Sequence, residues 1–316
     1  MRATALRFAL PAGLLVLQAC SQAFGQPLSP WAQGVRQAQD GNCAAAVRTL
    51  TAALAASPAP TAEPYLLLSD CYTQMNRPAD AGQILRKGLS AHPANPVLEL
   101  FLGEFLMDAD PYSLEAGQLL EHSVRTAPRD PEARHSYARW AHLNLRERIC
   151  VAQEKAALLL PGLDAATLLA MNTLLGLCSD RIEDASGARA AFQRANAINL
   201  RQKTYDPLTA WQFVQFLKRF GNDAEVQSLV GEILERVPAF APAHLERARH
   251  FDREGQPKTA AESAQRALQS AGNDPNGERT AHEILARSYT ALGEAANASR
   301  EQAWLEAHPD SEAPGK

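Results

Sequence analysis

The chain has 316 residues, enough for two compact domains or one extended array. Apolar residues make up 46% and charged residues 21%, the balance of a folded, water-facing protein. A formal charge of −4 excludes a globally basic nucleic-acid binder, so any basic surface must be local.

The first element is a targeting segment. Arg2 and Arg7 supply positive charge, and Phe8 to Ala19 is almost wholly apolar but short for a bilayer span. Two exits follow it. Leu17-Gln18-Ala19-Cys20 resembles a bacterial lipobox, which would make residues 1–19 the leader and Cys20 a lipidation site. Ala23-Phe24-Gly25 offers the small-x-small pattern of ordinary cleavage, which would make the leader residues 1–25. Either exit leaves four of the five cysteines: Cys43, Cys71, Cys150 and Cys178. Both routes imply an exported protein in the periplasm, held at the outer membrane by lipid, or secreted. The membrane would be touched only through Cys20.

From there the composition is rich in alanine and poor in Val, Ile and Tyr, which favours helix over sheet. A stripe with four-three spacing then recurs along the chain. It reads Ala46, Leu50 and Ala53; Ala81, Leu85 and Gly88; Ala116, Leu120 and Ser123. It resumes as Ala188, Phe192 and Ala195; Val226, Val230 and Ile233; and Ala260, Ala264 and Ala267. That spacing lines one helix face with small residues around a larger one, so a neighbouring helix can approach closely. Copies end at Pro58, Pro93, Pro128, Pro238 and Pro309, where the ring cannot continue a helix. Gly41, Gly221, Gly255 and Gly293 mark turns between the two helices of a copy. A copy near residue 131 matches the stripe only loosely, through Cys150, Glu154 and Ala157, and the proline is missing at Leu200.

Helix pairs with a small–large–small stripe and a terminating proline, on a period of about 34 residues, resemble the tetratricopeptide repeat. The resemblance covers residues 27–309 in roughly eight copies. They start near Leu28, Ala62, Pro96, Pro131, Leu169, Pro207, Ala241 and Arg279. It implies an all-α, right-handed superhelical solenoid, with repeats 1–5 in residues 26–200, repeats 6–8 in 207–309, and a disordered tail over 310–316. The break at 201–206 reads either as a bend or as a boundary between sub-arrays. Stability in such an array is a sum over neighbouring interfaces.

In that architecture the second helix of one copy packs antiparallel on the first helix of the next. Cys43 and Cys71, like Cys150 and Cys178, are 28 residues apart, one on each such helix. The pairings Cys43–Cys71 and Cys150–Cys178 follow, each stabilising its junction by ~3 kcal/mol on the chain-entropy model.

The resemblance also implies a groove lined by the first helices. Its early part would offer Trp31, Glu63, Leu66, Asp70, Leu100, Glu104 and Asp108. Its later part would offer His135, Arg139, His142, Arg181, Trp211, Lys218, Arg219, Arg249, Arg253 and Arg287. The expected partners are other proteins, in particular acidic segments that arginines grip in bidentate fashion. The family's Asn/Lys clamp for a terminal carboxylate lacks its asparagines here, so that activity does not carry over.

Neither HExxH, GxSxG, a phosphate-binding glycine loop nor a dinucleotide fingerprint occurs. His135 and His142 share a helix face without a third ligand close in sequence. No catalytic residue, cofactor or metal is therefore expected. The leading expectation is a non-catalytic interaction scaffold of the bacterial cell envelope. The alternative is a periplasmic chaperone or accessory subunit of a secretion, pilus or polysaccharide export assembly.

Overall fold

The prolines and stripes set where helices stop and which side is hidden. A computed structural model describes residues 28–270 and 275–309, so the leader, Cys20 and the tail over 310–316 lie outside the described residues. Among the described residues there are sixteen α-helices and no strand, the all-α repeat solenoid that the stripe implies. The first helices of the pairs are α1 (Pro30–Gln39), α3 (Glu63–Gln74), α5 (Pro96–Ala109), α7 (Pro131–Leu143), α9 (Ala165–Arg181), α11 (Pro207–Phe220), α13 (Ala241–Arg253) and α15 (Pro275–Ala291). Their partners are α2 (Cys43–Ala56), α4 (Pro78–Ala91), α6 (Leu114–Thr126), α8 (Glu147–Ala157), α10 (Ala185–Asn199), α12 (Asp223–Arg236), α14 (Pro257–Ser270) and α16 (Ala295–Ala307).

Helices α2, α4, α6, α12 and α16 each stop two residues before Pro58, Pro93, Pro128, Pro238 or Pro309. The residue ahead of a proline is pushed out of the helical region, and Ser57, His92, Ala127, Val237 and His308 all leave it. Helices α8 and α10 lack the proline, and their caps Leu158 and Leu200 stay right-handed helical. Starts are fixed by side chains that accept from the first free amides: Ser29, Asn42, Ser113, Asp130, Asp164, Asp184, Asp206 and Asn222.

In six of the pairs the turn is a Schellman closure, the α5–α6 and α11–α12 turns being built differently. The amides of Asn42, Arg77, Arg146, Asp184, Gln256 and Glu294 each donate to the carbonyl five residues back. That closure needs a left-handed residue just before it. Gly41, Gly255 and Gly293 fill the place without strain, while Asn76, Leu145 and Glu183 occupy it at φ 56, 57 and 63°.

The chain divides into two compact units, one ending at Phe105 and the other beginning at Leu106, so the division falls inside α5. Residues 201–206, where the terminating proline is absent, lie within the second unit. There the side chain of buried Asn199 donates to Asp206 O at 2.7 Å and accepts from Asp206 N at 2.8 Å, closing the connection. Helix α9 starts four residues ahead of Leu169, and α15 four ahead of Arg279.

In the first unit Ala46, Leu50, Ala81 and Leu85 are fully or almost fully buried. In the second, the rings of Phe192, Phe213 and Phe216 form the heart of a cluster spanning α10 to α13. A smaller, alanine-rich cluster joins α13 to α16 through Ala260, Ala264, Ala267, Ile284 and Leu285. The loosely matching copy obeys the same geometry, since Cys150, Glu154 and Ala157 are all 0% exposed. A carboxylate therefore occupies the place that holds a Leu, Phe, Val or Ala in the other stripes.

Close approach has a measurable consequence at Gly117. A Cβ there would meet the Trp140 ring at 2.2 Å, and that ring is pinned because its Nε1 donates to Ser113 O at 2.9 Å. Gly231, in the middle of α12, would meet nothing within 4 Å. Gly117→Ala is expected to destabilise the protein by about 1–3 kcal/mol. Gly231→Ala should stabilise it by about 0.5–1 kcal/mol. Urea unfolding of both variants checks the pair, and equal effects would deny the close α6–α7 approach.

Candidate interaction surface

The residues expected to line a groove do not share one environment. Leu100 is 2% exposed and belongs to the core, so it cannot contact a partner. Trp211 is half-buried and packs edge-on against Phe240 at 5.8 Å, beside the Phe192 cluster. It is mainly an anchor between α11 and the turn before α13. The remaining cations lie at the surface, where Arg139 is exposed on α7.

Most of those cations meet a carboxylate from a neighbouring repeat. Arg181 of α9 reaches Glu147 of α8 at 2.9 Å. Arg219 of α11 pairs with Asp180 of α9. Lys218 of α11 donates to Glu246 of α13 at 2.7 Å, with Arg249 3.7 Å from the same oxygen. Arg253 of α13 reaches Asp223 of α12 at 3.0 Å, and Arg287 of α15 reaches Asp252 of α13 at 2.7 Å. The expected basic trough is thus an alternating ladder of cross-repeat ion pairs within the second unit. Sequence inspection counted the cations but missed their carboxylates, which come from other repeats.

The pairs differ in weight. Arg181, Arg219, Arg253 and Arg287 keep about half of their side-chain surface in water, so each pair contributes about 0–1 kcal/mol. Glu246 is only 2% exposed, so Lys218, with Arg249 at longer range, neutralises a carboxylate that would otherwise be buried unpaired.

His135, also expected in the groove, turns instead to the buried stripe carboxylate. Its Nδ1 lies 2.5 Å from Glu154 Oε1, and Glu154 Oε2 is buried without a hydrogen-bond partner. Burial pushes the Glu154 carboxyl above its ordinary value, and the His135 contact opposes that only in part. His142 faces Glu147 at 2.9 Å and the sulfur of Cys178 at 3.4 Å. A histidine, a carboxylate and a cysteine thus come together where the sequence spacing showed no third ligand.

Both cystines form as expected. Cys43–Cys71 joins α2 to α3 with Cα atoms 5.0 Å apart, and Cys150–Cys178 joins α8 to α9 at 6.2 Å. A further surface was not anticipated. A cleft of about 550 Å³ is lined by Leu158, Leu168, Leu175 and Ile198, with Lys155 and Arg194 also on its wall. It lies where α8 ends at Ala157 and α9 starts a full turn early. Arg194 Nε donates across it to Asn172 Oδ1 at 2.8 Å. No helix among the described residues is long and apolar enough to cross a membrane.

Helix pairs stacked in register, with the small–large–small stripe hidden, define the class as an all-α repeat array. Residues 37–100 match the tetratricopeptide repeat family model. The C-terminal part of a repeat-containing protein of this type from Cytophaga hutchinsonii has a similar structure at 16% identity, with a TM-score of 0.61 over 77% of this chain and 95% of that one. A tetratricopeptide repeat protein from Parabacteroides merdae is similar at 13% identity, with a TM-score of 0.54 over 79% and 94%. One chain of the Cut9–Hcn1 hetero-tetramer of APC/C is similar at 13%, with a TM-score of 0.51 over 81% of this chain and 42% of that one. No curated protein matches the sequence. Residues 37–100 thus carry tetratricopeptide repeats, and the described chain as a whole shares the fold of such repeat arrays.

Glu154 makes a pH prediction. Its folded-state pKa is raised, so its relative contribution to stability is complete below the ordinary 4.5 and is lost as pH rises through the raised value. Glu154→Gln removes that titration. The variant should gain on the wild type between acidic and neutral pH in urea titrations, and a difference that does not change with pH would show that Glu154 ionises normally.

Proposed function

We propose that this chain is an exported, non-catalytic scaffold that holds segments of partner proteins on the first-helix face of α7 to α15. The observation that carries the reading is the row of half-exposed arginines on successive repeats. Each uses only part of a guanidinium's five donors on its own carboxylate. A partner carboxylate can share or replace that acid at little cost, because exposed ion pairs are weak. Arg139, Arg181, Lys218, Arg219, Arg249, Arg253 and Arg287 are the contact residues, with Trp211 as an apolar edge. The alternating charge favours a partner segment that is acidic but also carries donors for Asp180, Asp223 and Asp252.

Export is supported by the charged, apolar first segment and by two cystines, which persist in oxidising compartments. The envelope of a bacterium fits both, with Cys20 as the lipid anchor or Gly25 as the end of the leader.

Affinity capture from native envelope with wild type and with the double variant Arg249→Glu, Arg253→Glu tests the reading. One or two partners at stoichiometric yield with wild type, lost with the folded variant, support it. Equal capture by both proteins would remove the arginine face from the site. A broad set of non-native chains would favour the chaperone alternative.

A further inference from the structure

Helices α7, α8 and α9 bring four metal-ligating side chains to one buried point. His142 lies in the last turn of α7, Glu147 and Cys150 in the first turn of α8, and Cys178 in the last turn of α9. His142 Nδ1 is 2.9 Å from Glu147 Oε2 and 3.4 Å from Cys178 Sγ, and these donor atoms all lie within 4.8 Å of one another. Cys150 is bonded to Cys178 and so shares the site. Both cysteines are 0% exposed, and Glu147 is 8% exposed.

We propose that this cystine is one of two states of the site, and that the reduced chain binds a single zinc-class divalent ion through Cys150, Cys178, His142 and Glu147. The geometry fits. Zinc–sulfur and zinc–nitrogen bonds of about 2.3 and 2.0 Å at tetrahedral angles place sulfur and nitrogen about 3.5 Å apart. The present separation of His142 Nδ1 from Cys178 Sγ is 3.4 Å, so histidine and sulfur need little movement.

The charges also fit. In the cystine state Glu147 and Arg181 neutralise each other, their atoms 2.9 Å apart. In the metal state two thiolates and Glu147 carry three negative charges, while the ion and Arg181 carry three positive ones. The buried site is neutral in both. Arg181 holds Glu147 Oε1 and leaves Oε2 for the ion, the orienting role that outer groups play around metals.

The chemistry balances with a dithiol reductant. Two electrons and two protons pass from the dithiol to the cystine, which opens to two thiols while the reductant closes to its own disulfide. The ion then displaces both thiol protons to solvent, and His142 binds through the Nδ1 lone pair with its proton on Nε2. The Cys43–Cys71 cystine is an internal comparison. Its polar neighbour is the side-chain amide of Gln74, whose Oε1 is 3.6 Å from Cys43 Sγ. An amide is a poor partner for zinc.

The test uses the full chain, reduced with a dithiol, freed of reductant under inert gas and titrated with zinc against a chromophoric chelator. One ion per chain is expected, with none bound by the oxidised protein. Cobalt should give a thiolate charge-transfer band and the strong visible bands of a tetrahedral site. Cys43→Ala with Cys71→Ala should leave binding unchanged, and His142→Ala should weaken it by about 100-fold. Failure to bind in the reduced state, or affinity unaffected by His142→Ala, would overturn the proposal. So would a reduced chain that loses its helical circular dichroism and does not recover it with zinc.

Discussion

The closeness of neighbouring helices decides most of what this protein is. Small residues one turn either side of a larger one let a second helix seat against the first helices before and after it, with side chains such as Leu50, Leu85, Leu120, Phe192 and Val230 filling the space between. A dense contact of that kind cannot be shifted by one residue without setting a large side chain on a large one. Register follows from the stripe, and the places of caps, turns and cystines follow from register. The two cystines lie at junctions of the same kind, between a second helix and the next first helix, at α2–α3 and α8–α9.

The same constraint makes the fourth pair the chemical centre of the molecule. Its stripe contains Cys150 and Glu154, so groups that prefer water or metals are carried into the interface by position alone. His135 and His142, seven residues apart on α7, then serve two different buried partners. One sits on the stripe carboxylate, and the other sits between Glu147 and a half-cystine.

Much of the fold was legible because its determinants are local. Four-three spacing, a proline that ends a helix, and an asparagine or aspartate that starts one each act within a few residues of chain. Leu145 and Glu183 occupy left-handed turns without a glycine to announce them, because the Schellman bonds and packing impose the conformation. The interaction surface was less legible. Cations were visible, but Asp180, Asp223, Glu246 and Asp252 reach them only after repeats stack, so an apparent basic trough became a ladder. Leu100 looked surface-facing until neighbouring helices covered it. The His142, Glu147 and Cys178 cluster joins three helices across 36 residues and had no signal in sequence spacing.

The account rests on adjacent repeats meeting in one fixed register, and the four cysteines report that register directly. Mass mapping of the native, unreduced protein after proteolysis under conditions that block thiol exchange is therefore the decisive measurement. The account predicts peptides linked as Cys43–Cys71 and Cys150–Cys178. Cross-links between the two pairs, or free thiols at all four positions, would contradict it.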